Sequence, residues 1–375
     1  MPTPATIPAP SSFPSCSSSR LRVCFVAAPL MARSGVYRST LDLVAEARSR
    51  GLDWSAVVGL RPTAAGVSSP AAGVREVEVL QHGLGVVDEV ARLLLDSPEV
   101  READVVVTLV TQSDVAAARL RSELGPAWVA WVRGLPWPAR GEQTLLRRHV
   151  LRLVETRALR AAADVWATTP VLADAVTAAR RPELVPAGVP AAPRLSRGEA
   201  SGRLVWAARL DVDKRPRAFA DLVAATGVPG AMYGHGPLEA ELRREAPVGL
   251  SVRGWADPAA LWADAAVFVG TASREAFGRS AVEAALAGVP VVLGDAYGAA
   301  PLLVTDDELR RRFVLPVGDP RPWATAVRDL VGDADLRRRL SDHVHANASA
   351  LTIGRSVDAV LVRLGHLGLD GQGAA

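Results

Sequence analysis

The chain has 375 residues, 49% of them hydrophobic and 22% charged, with 43 basic against 40 acidic side chains and a net charge of +3. That length calls for two domains with their own cores, and the near-balance of charge gives no support to a nucleic-acid partner. The two cysteines, Cys16 in a Ser/Pro stretch and Cys24 in an apolar strand, exclude a disulfide framework and fit a reducing, cytoplasmic setting with Cys24 a buried, inert thiol.

Residues 1–19 are rich in Pro, Ser and Thr and lack both a basic start and an apolar core, so they read as a disordered leader and not a secretory signal. No apolar run reaches the eighteen or so residues that span a bilayer, so any membrane contact is expected to be peripheral. Over residues 20–188, short Val/Ala/Leu strands alternate with amphipathic helices, the pattern of a parallel α/β sheet. Strands are expected at 21–28, 54–58, 74–80, 103–110, 127–132, 164–169 and 183–188. A Pro/Ala/Gly/Ser-rich linker at 189–202 marks a domain boundary. The alternation restarts with strands at 203–208, 230–234, 250–254, 265–270, 289–293 and 312–317, which makes 203–350 a second Rossmann-like domain. A helix at 351–367 and a Gly-rich, disordered tail at 368–375 close the chain. Two such sheets facing each other leave a cleft at the carboxyl ends of their strands.

The most informative segment runs from Ser273 to Val292, where Glu275 and Glu283 straddle a helix start. An apolar strand leads into the Glu275 loop, Gly278 opens the helix, Gly288 caps it, and Pro290 leads the next strand. Glu283 is expected one turn inside the helix, with its carboxylate in the same cleft as that of Glu275. Between them lie the free N–H groups of a helix N-terminus, suited to phosphate.

This segment resembles the Glu-x7-Glu motif of retaining glycosyltransferases of family 4, with its companion pattern Ser-x-x-Glu-x-Phe-Gly. Three further stretches follow that family's order: residues 204–214 ending in Arg209-Leu210-Asp211-Val212-Asp213-Lys214, then Tyr233-Gly234-His235-Gly236-Pro237-Leu238, then Val252-Arg253-Gly254-Trp255. The resemblance covers residues 20–350 and implies the GT-B fold, with a nucleotide-sugar held mainly by the C-terminal half. It implies no cofactor and no metal, a nucleoside-diphosphate sugar as donor, UDP by family frequency, and a hydroxyl-bearing acceptor on a cell-envelope glycan, glycolipid or secondary metabolite.

Breaking the bond to a nucleoside diphosphate builds negative charge on the leaving group, so cations belong there. The resemblance puts Arg209 and Lys214 on the phosphates, although Ala208 stands where the family often has Gly. Glu275 would accept from the sugar hydroxyls, the N–H groups of Ala276, Phe277 and Gly278 would approach sugar and phosphate, and Glu283 would take both ribose hydroxyls. Gly254 and Trp255 fall where the family shapes the nucleobase pocket, though Trp255 fits core packing equally well. Gly35, after Ser34, stands where the family often has a Gly pair near phosphate; a tight turn explains it as readily.

Where many members carry a histidine lining the catalytic centre, this chain has Arg133, and Val107 and Leu109 likewise replace histidines. Arg133 is expected either to meet a phosphate or acidic acceptor, together with Arg33, or to serve as a structural ion-pair partner. Asp211-Val212-Asp213 has the spacing of a metal-binding Asp-x-Asp but leads into Lys214, and His343-Val344-His345 is expected to be solvated. Arg140, Arg147, Arg148, Arg152, Arg157 and Arg160, with Trp128, Trp131 and Trp137 upstream, suggest either a solvated helix face or a basic, aromatic peripheral contact with membrane. The alternatives to a transferase are a phosphorylase or epimerase acting on a sugar phosphate, and a catalytically silent nucleotide-binding scaffold.

Overall fold

The computed structural model describes residues 21–33, 35–69, 71–83, 85–135, 144–198 and 202–368. The leader at 1–19, nearly all of the Gly-rich tail, Ser34, Trp137 and Arg140 lie outside the described residues. Two wholly parallel sheets carry the architecture. The first has seven strands, β1 (Val23–Ala32), β2 (Trp54–Ala65), β3 (Val74–Glu78), β4 (Val105–Thr108), β5 (Ala127–Val132), β6 (Asp164–Ala167) and β7 (Glu183–Leu184), in the order β3-β2-β1-β4-β5-β6-β7. The second has six, β8 (Arg203–Ala207), β9 (Gly230–Tyr233), β10 (Leu250–Arg253), β11 (Ala265–Gly270), β12 (Val291–Gly294) and β13 (Val314–Leu315), in the order β10-β9-β8-β11-β12-β13.

In both sheets the first strand in sequence sits inside, and the order reverses next to it, between β1 and β4 and between β8 and β11. A doubly wound sheet opens a crevice at such a reversal, at the carboxyl ends of the strands. Central strands buried on both faces need continuous apolar sequence. Val23-Cys24-Phe25-Val26-Ala27 and Ala265-Ala266-Val267-Phe268-Val269 supply it, each residue 5% exposed or less. Burial pushes the Cys24 thiol up to about 12, which leaves it unreactive at neutral pH.

Element boundaries move where neighbours outweigh propensity. β1 runs four residues beyond the expected end, through Pro29 to Ala32, because its partner β2 extends alongside it, pairing Leu30 with Leu60 and Ala32 with Ala65. The strand expected at 312–317 shrinks to β13, because Asp306 caps a helix, Asp307–Phe313, that takes its first residues.

The last helix, Ile353–His366, packs against the first sheet, where Ile353, Val357, Val360 and Leu364 join the cluster around Phe25, Leu43 and Trp131. Arg50 holds it through Asp358 at 2.7 Å, and Ser356 Oγ donates to the Pro186 carbonyl at 2.9 Å. The chain therefore crosses between the two sheets twice, and the crossings lie side by side. Val189 N–H donates to the Leu351 carbonyl at 3.1 Å, and Ile353 N–H to the Val189 carbonyl at 2.7 Å. Gly188 permits this approach, since a Cβ there would lie 2.4 Å from the Thr352 carbonyl.

Candidate active site

Two polar clusters occupy the cleft. The first forms where the loop after β8 meets the loop after β11. Lys214 Nζ lies 3.0 Å from Glu275 Oε2 and 3.3 Å from Asp213 Oδ2, and it donates to the Arg274 carbonyl at 3.1 Å. Both partners are largely buried, with 17% of the Lys214 side chain exposed and 23% of Glu275. Arg209 stands half exposed at the rim, 3.2 Å from Asp211 and 3.8 Å from Asp213.

Both loops are tied by groups that the sequence reading passed over. Thr271, where β11 ends, presents its hydroxyl at 3.0 Å to each of the Lys214 and Arg215 carbonyls and accepts the Trp206 indole N–H at 2.9 Å. Ser273 N–H and Oγ both reach the Asp213 carbonyl, at 2.9 and 3.0 Å. Arg215 takes a left-handed φ of 53°, rare for a side-chain residue, and this turn lets the loop double back. A threonine closing an apolar strand opposite a buried tryptophan was the available signal, but only the fold shows which carbonyls it meets.

Glu275 is also held through its backbone: its N–H donates to the Ala296 carbonyl, and its carbonyl accepts from Gly298 N–H at 2.8 Å. Gly278 has φ 95°, and a Cβ there would lie 2.6 Å from the Tyr297 ring. Its requirement is therefore set first by a left-handed turn over a buried tyrosine, besides any approach to a ligand. The helix Arg279–Leu286 starts there, with Ala276, Phe277 and Gly278 leading in and Phe277 largely buried. Ala276 lies at the domain boundary, its carbonyl accepting from Thr169 Oγ1 of the other domain at 3.2 Å.

Glu283 sits one turn into that helix, as its position in the motif implies, but its charged partner is one the motif does not mention. Arg279 Nη2 lies 3.5 Å from Glu283 Oε1 and 3.0 Å from Asp42 Oδ2 on the helix Val36–Ser49 of the opposite domain. Burial raises the Glu283 pKa, the charges of Arg279 and Arg38 lower it, and Asp42 raises it again. Arg133 belongs to this second cluster. It follows β5, is only 6% exposed, and stacks its guanidinium 4.4 Å from the centre of the Trp131 ring.

Several expected placements change. Arg33 is not in the second cluster: its Nη2 pairs with Glu76 of β3 at 3.1 Å and its Nη1 donates to the Ala64 carbonyl, so it braces the sheet edge. No ion pair engages Arg133 among the described residues; its Nη1 has no hydrogen-bond partner, and the charges that act on it are those of Arg279 and Asp42. Trp255 is 64% exposed and not core, with its backbone N–H donating to His235 Nε2 at 3.3 Å. Gly35 opens the first helix with φ 47° and open space around it. His343 and His345 are half-buried and hydrogen-bonded to the protein: His343 Nε2 accepts from the Thr305 and Asp306 N–H groups, and His345 Nδ1 faces the Leu286 carbonyl at 2.8 Å. Val107 and Leu109 are fully buried in the first core. The expected basic helix is Leu145–Ala161, with Leu145, Leu146, Val150, Leu153 and Val154 exposed beside Arg147 and Arg157. No helix among the described residues is long and apolar enough to cross a membrane.

Solved structures share this fold across nearly the whole chain. Anabaena HepE, described in complex with UDP, aligns with a TM-score of 0.71 over 92% of this chain and 100% of its own, at 18% identity. Sucrose-phosphate synthase from Thermosynechococcus elongatus gives 0.73 over 92% and 100%, at 17% identity. The lipopolysaccharide outer core galactosyltransferase WaaB gives 0.64 over 90% and 97%, at 12% identity. The fold is GT-B. Within this GT-B chain, residues 200–333 match the family described as glycosyl transferases group 1, which spans β8 to β13 and the whole first cluster. No curated protein sequence matches closely enough to serve as a relative. The matched domain and the GT-B fold together support a glycosyltransferase.

Proposed function

We propose that the chain is a retaining glycosyltransferase of the family 4 type that moves a hexose-type sugar from a nucleoside-diphosphate sugar to a hydroxyl acceptor. The observation that carries this reading is the Lys214–Glu275 pair at 3.0 Å, placed beside the start of the Arg279–Leu286 helix and behind Arg209 at the rim. A buried ammonium with a helix N-terminus suits a diphosphate, and a carboxylate next to it suits sugar hydroxyls. UDP is the expected nucleotide, since the HepE structures are described with UDP and UDP-glucose.

In this reading the sugar C1–O bond to the diphosphate breaks while C1 bonds to the acceptor oxygen on the same face. The acceptor proton passes to the departing phosphate oxygen. Lys214 and Arg209 hold the charge that grows on that oxygen, helped by Gly35 and by the N–H groups of Ala276, Phe277 and Gly278. Glu275 orients the sugar, Glu283 takes the ribose hydroxyls once Arg279 turns to Asp42 alone, and Gly254 borders the base. Because arrival and departure share one face, retention needs no protein nucleophile. Closure about the paired crossings at Val189 and Leu351 would exclude water.

A thermal-shift panel with UDP, GDP, ADP and TDP, each with and without glucose, tests the proposal. Selective stabilisation by UDP is expected. The absence of binding to every nucleotide, confirmed by calorimetric titration, would refute it, and nucleotide binding without turnover would favour the silent scaffold. Turnover that requires inorganic phosphate, or that needs no acceptor, would point to the phosphorylase or epimerase reading.

A further inference from the structure

We infer that the cleft carries a second anion subsite, built by Arg133 and Arg279, for a carboxylate or phosphate group that the sugar or the acceptor bears in addition to the donor diphosphate. The inference rests on the transferase reading only in assigning the diphosphate to Lys214 and Arg209.

Arg133 Nη1 is buried and has no hydrogen-bond partner. So is Arg279 Nη1, while Arg279 Nη2 is occupied by Asp42 and Glu283. Arg279 is paired with Asp42 and Glu283, whereas Arg133, only 6% exposed, has no carboxylate within ion-pair distance among the described residues, in a place where an uncompensated charge is costly. Burial and the neighbouring Arg279 push the Arg133 pKa down to about 9, while Asp42 raises it. The guanidinium still carries its charge at neutral pH. Two buried, unsatisfied guanidinium groups from opposite domains, close enough to act on each other electrostatically and one of them fixed by stacking on Trp131, suit the oxygens of a carboxylate or phosphate. The ion pairs of Lys214, with Glu275 and Asp213, and those of Arg279, with Asp42 and Glu283, share no carboxylate. Because β5 and the Arg279–Leu286 helix belong to different domains, an anion bound between them would also favour the closed cleft.

The test fills the diphosphate site with saturating UDP and titrates inorganic phosphate at constant ionic strength, with chloride as control, reading melting temperature and heat of binding. The expected result is saturable stabilisation of the wild type, at least tenfold weaker in Arg133→Met and in Arg279→Met, with partial recovery in Arg133→Lys. Two further arms locate the anion. A tenfold loss in Arg133→Met for UDP-glucuronate but not UDP-glucose assigns it to the donor sugar. The same loss for glucose 6-phosphate but not glucose, with UDP present, assigns it to the acceptor. Phosphate stabilising no more than chloride would overturn the inference, as would an Arg133→Met variant that weakens UDP itself as much as phosphate. If UDP fails to bind the wild type, the transferase reading fails separately, and the phosphate titration without UDP still decides the subsite. Should Arg133→Met not fold, Arg279→Met carries the comparison.

Discussion

Replacing Lys214 by Met separates the chemistry proposed for this residue from its structural part. At 3.0 Å and an effective dielectric near 20, the ion pair with Glu275 is worth about 5 kcal/mol before the cost of burying both charges. Most of that is offset by desolvation, so the structural effect is the cost of orphaning Glu275, about 1–3 kcal/mol. Loss of a cation facing a developing phosphate charge costs about 10²–10³-fold in kcat. The second effect has its own signature. Adding Glu275→Gln removes the stranded charge, so the double variant should regain much of the lost melting temperature and none of the turnover. Chemical denaturation and initial-rate assays with a UDP-sugar read the two quantities side by side. A single variant that keeps kcat within threefold of wild type, or a double variant that recovers both quantities, would refute the assignment of Lys214 to the leaving group.

Thr271→Val deletes a hydroxyl that serves two carbonyls and the Trp206 indole, and a loss of about 1–3 kcal/mol is expected with a drop in kcat larger than any change in KM; unchanged kinetics would show that this tie does not position Lys214. Asp114, wholly buried beside Thr108 Oγ1 at 2.5 Å, is pushed up to about 8 by burial, with Glu155 adding to the rise. Its folded form keeps the proton that the unfolded chain loses near pH 3.8, so stability falls by about 1.4 kcal/mol per pH unit from about pH 4 to 8 through this group. Urea titrations should find that slope in the wild type and a flatter one in Asp114→Asn. The exposed stripe of Leu145, Leu146, Val150, Leu153 and Val154 beside Arg147 and Arg157 should bind anionic vesicles and release them at high salt. Flotation of wild type and Val150→Glu checks this, and equal binding by both would place the contact elsewhere.

How much the sequence discloses depends on how local each determinant is. All strands of both sheets were legible because a strand buried on both faces writes its burial into consecutive residues, as β5 and β11 do with matching limits. Ends such as that of β1 were less legible, because the pairing of Leu30 with Leu60 and of Ala32 with Ala65 depends on a strand elsewhere in the chain. The candidate site divides in the same way. Glu275, Gly278 and Glu283 were readable as a motif since one loop and one helix hold them in fixed spacing.

The sequence by itself determined the two-domain α/β class, the alternation of strands and helices, and the helix start between the two glutamates. These follow from periodicity and turn chemistry, which act over a few residues. Only the tertiary structure decided that Lys214 and Glu275 neutralise each other, that the last helix returns to the first domain, and that Arg33 braces a sheet edge while Arg133 is left without a carboxylate. Charges and buried donors find their partners through space, across chain separations over which sequence pattern carries no record, and the cleft draws its charges from both domains.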